Sequence, residues 1–209
     1  MQVKMDASTS TVILAGGLGT RMGGAKGMRC LHERALIDWV ISVMQQQSDE
    51  VLISVHTHDA GYEREGCHLI VDQESDWAGP LAGLQSALRN ARHDWVATVP
   101  CDTPFLPDNL IAHLHSAITP LTKVAVAVVD DQRQPAIALY QRQVLSELEA
   151  YLAAGGRKVN TWLDSLCLVE VPFDNTAAFT NINSSQELLR ANQILHAGGS
   201  YRDVQNALA

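Results

Sequence analysis

The sequence predicts a three-layer α/β fold built on a mostly parallel sheet, and three observations carry that reading. Short apolar runs that read as strands alternate with amphipathic stretches that read as helices, the pattern of a parallel sheet covered on both faces. The first apolar run opens directly into a glycine-rich loop carrying two cations. The chain has 209 residues, 46% hydrophobic and 18% charged, which is globular composition with length for one good core.

Taken in order, residues 1–10 are polar, lack the apolar run of a secretory signal, and read as a loose lead-in. Val12–Ala15 is the first strand, broken at Gly16-Gly17, and Arg29-Cys30-Leu31 is a short extended piece. Leu36, Ile37, Val40, Ile41 and Met44 recur at helical spacing, so 35–47 is an amphipathic helix. Strands follow at 51–55 and 69–71, then a helix after Gly79-Pro80, a strand at 95–99 ended by Pro100, and a helix over 107–118.

The second half changes character. Val124–Val129 and Ala136–Tyr140 read as an antiparallel pair joined by a turn over Asp130–Pro135. A helix over 144–154 stops at Gly155-Gly156, a short one follows at 159–166, and 167–171 is a strand. Ser184-Ser185-Gln186-Glu187 is a capping box that starts the last helix. Residues 198–209 read as a loose tail. No linker or repeat divides the chain, so a single domain over 1–209 is expected.

Composition excludes several function classes. A net charge of −8 and a pI of about 5.4 argue against a general nucleic-acid binder and against an anionic membrane surface, both of which need a basic face. No apolar run approaches the roughly 20 residues of a membrane helix. Cys30, Cys67, Cys101 and Cys167 form no C-x-x-C pair, so they read as reduced, mostly buried thiols of a cytoplasmic protein rather than a zinc site or a disulfide framework.

The chemistry starts at TVILAGGLGTRMGGAKG, residues 11–27. Glycines let backbone N–H groups approach a bound anion closely, and Arg21 and Lys26 add charge to the same loop, so it suits a polyphosphate. It is not a Walker A loop, since Ala25 precedes Lys26 and Gly27 follows it, and not a Rossmann fingerprint, since Met22 stands where the third glycine belongs.

In an open α/β sheet ligands sit beyond the carboxyl ends of the strands. Gly16, Gly17, Ser54, His56, Asp72 and Asp102 all stand at such ends. Asp102, in Pro100–Pro104 (PCDTP), can hold Mg²⁺, which prefers oxygen ligands and bridges phosphates; D-T-P is equally good turn chemistry. Asp72 can accept from a base or ribose, reach a metal through water, or serve as an ordinary loop carboxylate. His56 and His58, like His113 and His115, lack an evident third ligand and read as structural or solvated. Cys101 points away from Asp102 into the core. Arg157 and Lys158 follow a helix end and suit its dipole.

Four motifs occur together in order: L-A-G-G-x-x-x-R-M-G-x-x-K, the aspartate after the third strand, GPLAG at 79–83, and PCDTPFLP at 100–107. The set closely resembles the molybdenum cofactor guanylyltransferase family, with similarity extending to RQPAIAL at 133–139 and FTNINS at 179–184. The resemblance implies a Rossmann-like nucleotidyltransferase fold with a nucleotide-binding half over 11–118 and an acceptor-binding half over 119–197. It implies transfer of GMP from GTP to the terminal phosphate of molybdopterin-bound molybdenum cofactor, with Mg²⁺ as cofactor and molybdoenzymes or their chaperones as further partners. Leu14, Ala15, Gly16 and Gly17 would meet the nucleotide through backbone; Lys26 and Arg21 its phosphates; Ser54 and Asp72 its base and ribose; Asp102 the metal; and Asn181 and Asn183 the acceptor. Ser54 stands where some relatives have Asn, and Gln134 where a His often precedes the proline. Cytidylyl transfer to the same cofactor, a sugar-phosphate nucleotidyltransferase, and a non-catalytic nucleotide-binding carrier are the competing readings.

Overall fold

The computed structural model describes residues 8–16, 26–72 and 80–208. Within them the strands are β1 (Thr9–Leu14), β2 (Cys30–Leu31), β3 (Arg34–Ala35), β4 (Glu50–Val55), β5 (Cys67–Val71), β6 (Trp95–Pro100), β7 (Val124–Val129), β8 (Gln132–Gln141) and β9 (Leu168–Pro172). The helices are α1 (Leu36–Met44), α2 (Pro80–Asn90), α3 (Leu110–Ser116), α4 (Leu145–Ala153), α5 (Val159–Leu163), α6 (Ser185–His196) and α7 (Tyr201–Leu208). Gly17, Arg21, Trp77 and Gly79 lie outside the described residues.

Seven strands form one sheet in the order β5-β4-β1-β6-β8-β7-β9, while β2 and β3 pair separately. β1 is parallel to β4 and β6, β4 to β5, and β7 to β9; among the described strands of this sheet β8 runs against both neighbours, and β2 and β3 are also antiparallel. From β1 the chain steps outward to β4 and β5, then returns to lay β6 on the other side of β1. That reversal makes the carboxyl ends of β1 and β6 a topological switch point, where an open sheet binds its ligand.

Period-two alternation builds the layers. Ile13, Ile53, Ala97 and Ala125 face one side, where they pack on α1 and α3 through Ile37, Ile41 and Leu110. Val12, Leu52, Val96 and Val126 face the other, where α2, α4 and α5 cover them with Leu84, Leu148 and Trp162. The three-layer α/β arrangement predicted from the strand–helix rhythm is therefore present. The capping box also forms: Ser184 accepts from the Glu187 backbone, and the Glu187 carboxylate accepts from the Ser184 N–H.

Four expectations need correction. The lead-in is not loose to its end, because Thr9 and Ser10 are buried residues of β1. The 130–135 turn is only two residues, Asp130 and Asp131, both at positive φ (47° and 57°), the geometry whose twist matches a hairpin. β8 then starts at Gln132 and carries Pro135 inside it; proline has no N–H to donate, and the β7–β8 register shifts between Val126 and Val128. The helix expected over 107–118 is regular only over Leu110–Ser116. Finally, the tail is not loose: α7 docks through the wholly buried Val204 into a satellite core with Leu31, Leu36, Ile182, Ala191 and Leu195.

Candidate active site

Backbone pairing draws four strand ends together. Leu14 is in register with Ser54 on one side and Pro100 on the other. As the chain leaves the sheet, the Ala15 N–H donates to Ser54 O over 2.8 Å and the Cys101 N–H to Leu14 O over 3.2 Å. The Asp72 N–H donates to Val55 O over 2.9 Å. Gly16, Ser54, Asp72 and Asp102 thus come to one edge, as the sequence predicts, and they fall into two clusters on either side of the β1 exit.

The first cluster is built around Asp72. Ser54 is wholly buried, and its hydroxyl donates to Asp72 Oδ1 over 2.6 Å. Ser86 on α2, 4% exposed, stands beside the same carboxylate and favours its charged form. Gly16 packs so closely that a Cβ there would lie 2.8 Å from Asp72 Oδ2 and 3.1 Å from the His56 nitrogen. Gly83 on α2 does the same from the other side, its missing Cβ 3.0 Å from Leu14 Cδ2 and 3.4 Å from Ser54 Oγ. Burial pushes the Asp72 carboxyl above the usual range, while the Ser54 and Ser86 hydroxyls oppose the shift. The result is a fixed, partly desolvated acceptor, suited to the N–H or O–H donors of a nucleoside.

The second cluster is built around Asp102, 7% exposed. Lys26, at the start of a 3₁₀ turn over Lys26–Met28, forms an ion pair with Asp102 and also donates to Asn183 Oδ1 over 2.6 Å. Thr103, wholly buried, donates its hydroxyl to Asn181 Oδ1, and the Ile182 N–H donates to Asp102 O over 2.9 Å. Gly27 lets the turn rest on the sheet end: a Cβ there would sit 3.2 Å from Cys101 Cβ and Sγ and from Tyr62 Cε1. Cys101 itself belongs to the core, where burial pushes its thiol up to about 12.

Asp102 offers the hard oxygen that Mg²⁺ prefers, and a single protein carboxylate suits an ion that takes substrate phosphates as further ligands. Among the described residues no group of three or more His, Cys, Asp or Glu could hold a metal. Of the histidine pairs, His113 and His115 take structural roles, while His56 and His58 are exposed. His115 Nε2 meets Thr9 Oγ1 at 2.8 Å and its ring packs edge-on against Trp95; His113 Nε2 meets Pro172 O at 3.1 Å. Arg157 donates to Leu152 O and Gly156 O, the helix-end role its position implied. The thiols are not mostly buried: all four are free, but only Cys101 is buried, with Cys30 and Cys167 exposed.

Sequence reasoning missed Ser86 and Thr103. Ser86 has a faint signal, lying three residues after Gly83 and so on the same helix face. Thr103 looks like turn chemistry beside Asp102, and only its long-range partner gives it a role.

Comparison with known proteins adds what geometry cannot. Residues 11–168 match the MobA-like NTP transferase domain. The chain is 42% identical over 184 residues to a molybdenum cofactor guanylyltransferase of Cupriavidus metallidurans, covering 85% of this chain and 91% of that protein. It is 40% identical over 199 residues to a molybdenum cofactor guanylyltransferase of Burkholderia lata, covering 90% and 97%. Among solved structures, the molybdopterin-guanine dinucleotide biosynthesis protein A of Archaeoglobus fulgidus is similar with a TM-score of 0.72 and 25% identity, over 90% of this chain and 99% of that one.

Proposed function

The chain belongs to the MobA-like NTP transferase family, and from that premise we propose that it transfers GMP from GTP to the terminal phosphate of molybdopterin-bound molybdenum cofactor, releasing pyrophosphate. The observation that carries the reading is the pair of clusters flanking the β1 exit: a fixed acceptor at Asp72 on one side, and a cation–carboxylate pair, Lys26 and Asp102, on the other. One side suits a nucleoside and the other its phosphates.

The attacking group is a phosphate oxygen, already ionised near neutral pH, so the chain needs no strong general base. That oxygen bonds to the α-phosphorus of GTP as the bond from the α-phosphorus to the β-phosphate oxygen breaks, and the electron pair leaves with pyrophosphate. Backbone groups of Leu14, Ala15 and Gly16 line the nucleoside, and Asp72, oriented by Ser54, accepts from its donors. Lys26, with Arg21 of the same loop, balances the charge that grows on the departing phosphates; preorganised cations at such a point are a large part of phosphoryl-transfer catalysis. Asp102 is the residue that would hold Mg²⁺, which supplies charge neutralisation at the phosphates when bound. Four free thiols suit a reducing compartment, so the cytoplasm is the proposed setting.

Titration calorimetry with GTP, CTP and ATP, with and without Mg²⁺, tests the reading. Preference for GTP, lost in Lys26→Ala, is the expected result. Preference for CTP would move the assignment to cytidylyl transfer at the same site, and no binding by folded protein would overturn it.

A further inference from the structure

The resemblance puts Asn181 and Asn183 on the acceptor side, but their contacts lead elsewhere. Burial alternates along this segment: Ile182 is wholly buried in the satellite core, while Asn181 and Asn183 on either side are exposed and turned to the nucleotide half. Three hydrogen bonds cross to that half: Thr103 Oγ1 to Asn181 Oδ1, Ile182 N to Asp102 O at 2.9 Å, and Lys26 Nζ to Asn183 Oδ1 at 2.6 Å. Behind the segment, the Glu187 carboxylate accepts from the backbone N–H groups of Asn183 at 2.6 Å and Ser184 at 3.0 Å, anchoring it to the start of α6.

We infer that Asn181–Asn183 is a brace for the nucleotide side of the site, in which Asn181 is a positioning residue that holds the Asp102 loop through Thr103. The inference rests on the guanylyltransferase reading for its substrate. Its physical basis is that Asp102 sits at the end of β6, where the ladder no longer fixes it, so side-chain and backbone bonds from a segment 78 positions away in sequence take over that task. Thr103 has no route to solvent, and removing its acceptor leaves a buried hydroxyl to find another, which moves the loop.

The test is a comparison of wild type with Asn181→Ala, Thr103→Val, their double variant and Thr103→Ser. GTP affinity in the presence of Mg²⁺ is read by calorimetry, and the acceptor KM and kcat by turnover. Asn181→Ala and Thr103→Val should each weaken GTP binding roughly five- to tenfold and lower kcat, with the acceptor KM within about twofold of wild type. The double variant should be no weaker than the weaker single, because both changes remove one bond. Thr103→Ser, which keeps the hydroxyl, should bind GTP like wild type. Where Thr103→Val does not fold, Asn181→Asp, which keeps the accepting oxygen, takes its place and should outperform Asn181→Ala. A raised acceptor KM in Asn181→Ala, alone or with weaker GTP binding, overturns the brace, as do additive losses in the double variant. Wild type that binds GTP but transfers nothing would sink the reaction and leave the brace to be judged on GTP affinity; wild type that binds no GTP sinks both.

Discussion

Ser54 Oγ lies 2.6 Å from Asp72 Oδ1, joining the ends of two neighbouring parallel strands. Ser54 is wholly buried and its hydroxyl is directed at the carboxylate, so at this position the side chain orients an acceptor instead of presenting an amide to a ligand. The Asp72 carboxyl is raised, chiefly by burial. Its folded value therefore exceeds its unfolded one, and the stability it contributes is fully present below the unfolded value and is lost as pH rises through the folded one. Asp72→Asn should then gain thermal stability over wild type as pH is taken from roughly 4 to neutral, while GTP affinity falls about ten- to a hundredfold. Melting curves across that range, with calorimetry at neutral pH, check both halves; a variant that loses stability at neutral pH would contradict the burial argument.

Lys26 and Asp102 should part company in how they affect stability. Asp102→Ala leaves behind a lysine on a flexible stem with Asn183 still in reach, and should cost little in melting temperature while lowering kcat about a hundredfold or more. Lys26→Ala leaves a nearly buried carboxylate without its cation, which costs about 1–3 kcal/mol, or some 2–4 °C per kcal/mol for a chain of this size. Its activity loss should still exceed what that melting shift explains. Near-normal turnover in Asp102→Ala would remove that residue from the chemistry.

Gly16→Ala tests whether space at the β1 exit is needed. Its φ lies outside the left-handed region, so the effect is steric: the new methyl would meet Asp72 Oδ2 at 2.8 Å and the His56 backbone nitrogen at 3.1 Å. One contact can yield only by moving the carboxylate, the other only by moving backbone. A destabilisation of about 1–3 kcal/mol and at least tenfold weaker GTP binding are expected. Wild-type affinity would show that Asp72 can shift freely.

The tail should matter to stability. Val204→Ala removes two methyl groups from a wholly buried site, which at about 0.8 kcal/mol per carbon predicts a loss of roughly 1.5–2 kcal/mol. Truncation after residue 198 should destabilise more, since it uncovers Ile182 and Leu195 together. If truncation leaves the melting curve unchanged, the docking of α7 contributes nothing.

Thiol titration should resolve the cysteines in order. Cys30 and Cys167 are exposed and should react quickly with a disulfide reagent near pH 8; Cys67, half-buried and with its pKa raised by burial, should lag. Cys101, pushed up to about 12, should react only on unfolding. Early modification of Cys101 would mean that the 3₁₀ turn carrying Lys26 lifts off the sheet end.

The one-dimensional pattern of this chain determined a great deal. Apolar runs of strand length alternating with helical periodicity were enough for the three layers, because residue spacing alone sets which side chains share a face. Glycines after the first strand and carboxylates after the third and fourth were enough to place Gly16, Asp72 and Asp102 together, because the carboxyl ends of parallel strands in one sheet lie at one edge. Ser184-x-x-Glu187 announced its helix because a cap is satisfied within four residues.

What tertiary structure alone decided lies at long separation or below the strength of local signals. α7 is eight residues, too short to hold a helix in water without docking, so its sequence looked like a tail. Pro135 looked like part of a turn because its tolerance inside β8 depends on a register shift against β7. Thr103 and Asn181 are 78 positions apart, and Lys26 and Asn183 are 157 apart. Nothing local distinguishes these side chains from ordinary loop residues. They meet because strand order and the burial of Ile182 fix where two loops end, and packing of that kind is a property of the whole chain.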